Sequence, residues 1–76
     1  MGSLTISDKL KLLYISIQLG KDNYKRVEAY LYADNAEAGV LKALALLREE
    51  LPNKEYKKVR KIAGKFIDMD AAENLY

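Results

Sequence analysis

SDKLKLLYISIQLG, residues 7–20, supports two readings, and the choice between them decides the fold. From Leu13 to Leu19, apolar residues alternate strictly with Tyr14, Ser16 and Gln18, the period-2 pattern of a half-buried strand. Over the whole stretch, Leu10, Leu13 and Ile17 instead recur at three and four, marking one face of a helix. The ends favour the helix. Thr5 or Ser7 can accept a backbone N–H of the first turn, Asp8 suits the positive helix end, and Gly20 supplies a left-handed stop. No other segment offers a convincing strand partner, so the stretch is predicted to be helical.

Three more helices follow from the same punctuation. The second starts at Asp22 as cap, with Tyr24, Val27 and Leu31 in one stripe and Tyr30 beside it. The third opens on a capping box, Asp34 with Glu37 three residues on, and ends at Leu51 because the residue before Pro52 avoids helical geometry. Val40, Leu44, Leu47 and Leu51 form its main face. Leu41, Ala43, Ala45 and Leu46 leave little of it polar, which predicts a central helix contacted from several sides. The fourth begins at Asn53 as cap and carries Tyr56, Val59, Ala63, Phe66 and Ile67 on one face. Short connections favour antiparallel neighbours. The expected fold is all-α, a compact bundle of three to four short helices forming one domain over residues 4–70. No internal repeat or low-complexity tract is present.

Size limits how such a bundle is held. The chain has 76 residues, and at that length folding buries only about 60% of the unfolded surface. It has no Cys and no His, so neither a disulfide nor a thiolate or imidazole metal site can staple it. Good helix packing or a partner subunit has to supply the difference. The absence of Cys fits a cytoplasmic protein. No apolar run reaches the ~18 residues of a membrane span, and no basic and apolar leader opens the sequence. The closing Glu73-Asn74-Leu75-Tyr76 resembles the start of an engineered protease site used to remove purification tags. Residues 71–76 are therefore set apart as tag-derived, and Met1-Gly2-Ser3 has the look of vector sequence.

Catalysis has few residues to work with. Without His or Cys, the candidates are Ser, Lys, Tyr and carboxylates, and the acids are scattered. Asp8, Asp22 and Asp34 read as caps, while Asp68 and Asp70 sit two apart and face different ways on a helix. No glycine motif cradles phosphate. The expectation is a protein that is not an enzyme and uses no cofactor or metal, with a metal-dependent phosphoryl enzyme as a distant alternative.

Charge is the informative feature. Net charge is +2, yet residues 53–66 carry six cations against Glu55, for +5, which leaves −3 on the remainder. At 100° per residue Lys54, Lys58, Lys61 and Lys65 project to one side, with Lys57 on their flank and Arg60 also in the segment. Such a stripe fits the phosphates of a nucleic acid. Lysine offers point charges without base reading, so binding is expected to be largely independent of sequence. Lys21, Lys25 and Arg26 are expected to assist. The segment ISIQLGKDNYKRVEAYLY has the order of a helix-turn-helix, but Lys21 follows the turn glycine where an apolar residue is usual, so an ordinary helical hairpin is preferred. The competing reading leaves the basic face merely solvated and gives function to apolar surface. Tyr30 and Tyr32 cannot both face one core, and Leu46 and Ile15 point away from their helices' main faces. Tyr30, Tyr32 and Leu46 are thus candidate interface residues for a protein partner or a homodimer.

Overall fold

A computed structural model describes residues 4–69. Residues 1–3, Asp70 and the expected tag remnant at 71–76 lie outside the described residues. The fold is a small all-α bundle: α1 (Ile6–Ser16), a 3₁₀ turn (Ile17–Leu19), α2 (Lys21–Leu31), α3 (Ala36–Glu50) and α4 (Asn53–Ala63). The alternating stretch from Leu13 to Leu19 completes α1 and its 3₁₀ extension, and no strand occurs among the described residues.

The boundaries differ from the predicted caps in instructive ways. Thr5, not Ser7, caps α1. The Asp8 N–H donates to Thr5 Oγ1 at 3.0 Å, and the Thr5 N–H donates to Asp8 Oδ2 at 3.4 Å, a complete capping box. Gly20 adopts φ 90°, ψ 164°, a conformation open essentially to glycine alone. It both stops the 3₁₀ turn and caps α2, so Lys21 is already helical and Asp22 falls in the first turn. Asn35, rather than Asp34, caps α3 by accepting the Ala38 N–H at 3.1 Å. Both residues are competent caps, and the chain uses the later one. Pro52 precedes α4 directly; its fixed φ and missing N–H suit a helix start, which moves Asn53 inside the first turn.

The core comes from every helix. Val27 and Leu31 of α2, Val40, Ala43, Leu44 and Leu47 of α3, and Val59 and Ala63 of α4 are buried, joined by Leu4, Leu51 and Met69. Helix α3 packs on α2 and α4, and α1 closes the bundle by touching both α2 and α4, so that each helix packs chiefly on two others. Helices α2 and α3 approach closely. There the missing side chain of Gly39 lets the Tyr30 carbonyl sit against the α3 backbone.

Helix α1 departs from the expected stripe. Leu13 is buried, but Leu10 and Ile17 point into solvent with 56% and 61% of their surface exposed. The inward face carries Leu12, Leu13, Ser16 and Asp8. Ser16 is fully enclosed, and its hydroxyl donates to the Leu12 carbonyl at 2.7 Å, so the buried oxygen is satisfied. Apolar residues occupy two sides of α1, and packing on the other helices selected the side with the serine.

Candidate nucleic-acid interface

Helix α4 buries Val59 and Ala63 against the core, with Tyr56 and Ile62 half-buried beside them. Its period then turns Lys54, Lys57, Lys58 and Lys61 outward, and all are exposed. Arg60 and Lys61 fall in the last turn, where the negative helix end favours cations by about 0.3–1 kcal/mol each.

The expected single stripe is split. Helix α4 ends at Ala63, so Lys65 leaves the helix in the following turn instead of continuing its face. Its ammonium lies 3.6 Å from Asp8 Oδ1, at the start of α1. Lys58 is held 3.3 Å from Glu55 Oε1, one turn earlier on α4. The Lys58–Glu55 pair is open to solvent and stabilises by well under ~1 kcal/mol, whereas Lys65 brings an exposed ammonium to the buried carboxylate of Asp8. Lys54, Lys57 and Lys61 form no ion pair with any described residue. Glu49 and Glu50, the acids closest before the segment, likewise pair with none of its lysines among the described residues.

Four cations do converge. Lys57, Arg60, Lys61 and Lys65 line one shallow concavity at the C-terminal end of α4, with Gly64 and Met69 as its remaining walls. Gly64 keeps the rim low, and Met69 is buried beneath it. A phosphate entering there would meet charge on several sides, while the opening is wide enough to track a backbone rather than enclose a small ligand.

Asp8 anchors this end of the molecule. Burial alone would raise its pKa, but the Thr5 hydroxyl, the Thr5 N–H and the Lys65 ammonium outweigh it and hold the carboxyl below its ordinary value. A depressed folded pKa gives stability that is present above the unfolded pKa and lost as pH falls through the folded one. Thermal melts of the wild type and Asp8→Asn should therefore show a constant difference above about pH 4 that shrinks on further acidification. A difference independent of pH down to 2 would show that the charge on Asp8 contributes nothing.

The remaining predicted residues lie elsewhere. Lys21, Lys25 and Arg26 are exposed on α2, which packs on α3 and α1, and none lines the α4 concavity. Lys25 instead borders a groove between α1 and α2 with Tyr24 and Tyr32. Of the candidate interface residues, Tyr30 and Leu46 are half-buried and packed against the core, as is Ile15. Tyr32 is 51% exposed, and the Lys9 ammonium stands 4.8 Å above its ring. The surface that periodicity missed is on α1. Ile6, Leu10, Tyr14 and Ile17 form an exposed apolar ridge. Its signal was present in the sequence as apolar residues on two sides of one helix.

No family model matches this chain, and no curated protein or solved structure is significantly similar to it.

Proposed function

We propose that this is a non-enzymatic binding protein that holds nucleic acid without sequence preference through the exposed side of α4. The observation supporting this reading is the convergence of Lys57, Arg60, Lys61 and Lys65 on one open concavity. Lys54 extends the same charged surface toward the start of α4. Three of the four lining cations are lysines, which neutralise phosphate without reading base edges. Lys58 contributes less than the sequence pattern implies, because Glu55 neutralises it locally.

Fluorescence anisotropy with a random-sequence duplex across a salt series tests the proposal. If Lys57, Arg60 and Lys61 each displace a counterion, log Kobs against log salt should fall with a slope of about −2.7, and of about −3.6 where phosphate also draws Lys65 from Asp8. Lys57→Glu with Lys61→Glu should flatten that slope by about 2 and abolish binding near physiological salt. Two duplexes of different sequence should bind within a few-fold of each other. Absence of binding at 20 mM salt, or a slope untouched by the two substitutions, would refute the assignment.

A further inference from the structure

Helix α1 is apolar on two sides, with Leu12 and Leu13 in the core. Its buried side includes Asp8 and Ser16, while Ile6, Leu10, Tyr14 and Ile17 stand 72%, 56%, 77% and 61% exposed. At 100° per residue these four span less than a quarter of the helix circumference, so they form a continuous ridge. Beside it lies a groove between α1 and α4, lined by Leu10, Tyr14, Ile15, Ile17 and Ile62. Taking ~200 Å² for a large side chain, the ridge alone presents roughly 500 Å² of surface. Isolated monomers seldom leave a patch of that size without use.

We propose that this face seats a second copy of the chain in a two-fold symmetric pair. Symmetry requires the face to complement itself. The Asp8–Lys65 contact sets the start of α1 beside the end of α4, and Gln18 past the end of α1 lines one groove with Glu55 at the start of α4, as helices running in opposite directions require. Counting equally along both from that contact places Lys11 level with Ile62, and Gln18 level with Glu55. All four line the groove. A two-fold axis level with Tyr14 lays α1 antiparallel to its copy. Leu10 then meets the partner's Ile17, and Tyr14 meets the partner's Tyr14. The same operation keeps α4 and its copy on one side of the pair and brings Lys11 opposite the partner's Glu55. Each copy contributes one Lys11 and one Glu55 to these contacts, which flank the apolar centre; Lys58, which also lines the groove and lies 3.3 Å from Glu55, shares that carboxylate with the partner's Lys11. The ridge supplies more than half of the ~800 Å² per partner that stable interfaces bury, and the groove walls add to it. A short chain without cysteine or histidine gains from that burial what it lacks in staples.

Dimerisation is independent of nucleic-acid binding, and its test contains none. Sedimentation equilibrium of the full chain, run from ~10 µM to ~1 mM, should show the mass rising from 8.6 kDa to twice that value. Leu10→Asp and Ile17→Asp replace exposed residues, so the helical circular dichroism should persist while the dimer Kd rises about 30-fold or more for each. Lys11→Glu and Glu55→Lys should each weaken the pair, and the two together should restore it, which a merely structural role for either residue would not produce. A monomer at every concentration overturns the proposal and leaves the ridge to a different partner. A dimer indifferent to Leu10→Asp and Ile17→Asp overturns it as well, since another face would then be in use.

Discussion

Gly39→Ala should lower the melting temperature by roughly 4–24 °C, against the direction that helix propensity alone predicts. Gly39 lies in α3, with helical geometry and no positive φ to require glycine. At a position open to solvent, the change to alanine would stabilise the helix by up to ~1 kcal/mol. Here an added Cβ runs directly into the Tyr30 carbonyl oxygen of α2 and crowds the Ala33 side chain. Backbone cannot step aside as a flexible side chain would. The two helices must separate, loosening the packing of Val27 and Leu31 on Val40 and Ala43, and overpacking of this kind costs about 1–3 kcal/mol. For a domain of this length each 1 kcal/mol moves the midpoint by about 4–8 °C. Gly39→Val should be worse, because a branched side chain enlarges the same clash. Differential scanning calorimetry reads both. A rise in midpoint for Gly39→Ala would mean that α2 and α3 do not approach this closely.

The close approach at Gly39 was invisible in the sequence, where the residue reads only as an isolated glycine inside a helical pattern. Other elements could be read almost entirely. Val40, Leu44, Leu47 and Leu51 were predicted as one face of the third helix, and all four are buried. Val59 and Ala63 did the same for the fourth helix. The fourth helix is legible because charged residues bound its face, and the third because its large side chains recur at three and four. The first helix is not delimited in that way: Ile6, Leu10, Leu12, Leu13, Tyr14, Ile15 and Ile17 surround it, so periodicity selects no side. Tertiary docking chose Leu12 and Ser16, and thereby exposed Leu10 and Ile17. Cap residues slipped by one or two positions for a simpler reason. Asp34 and Asn35 are both competent, and Pro52 can start a helix that Asn53 could have capped. At the charged surface, the outward direction of Lys54, Lys57 and Lys61 followed from local spacing. The loss of Lys65 to Asp8 did not, because a contact between the two ends of the chain leaves no trace in a helical wheel.

Leu47→Ala should cost about 3–5 kcal/mol, the largest effect of any single truncation in the core. Leu47 has no exposed surface and lies on α3, which packs on both α2 and α4. Its removal forfeits the burial of the isobutyl group and leaves a cavity that surrounding helices, tied by short connections, close only in part. A chain of 76 residues has roughly 4–11 kcal/mol of stability in total, so the variant should lose at least about a quarter of it, and all of it at the lower end of that range. Urea denaturation should show a strongly reduced midpoint with little change in slope if the folded state survives. The neighbouring substitution provides the comparison. Leu46 is turned about 100° from Leu47 on α3 and is half-buried at the edge of the core. Leu46→Ala vacates space that solvent already borders, so its cost should be less than half as large. Equal costs would mean that α3 is rotated from the orientation described, or that a second molecule covers Leu46. Concentration dependence separates these two outcomes: a partner's cover makes the Leu46→Ala penalty grow with protein concentration, whereas a rotated helix leaves it constant.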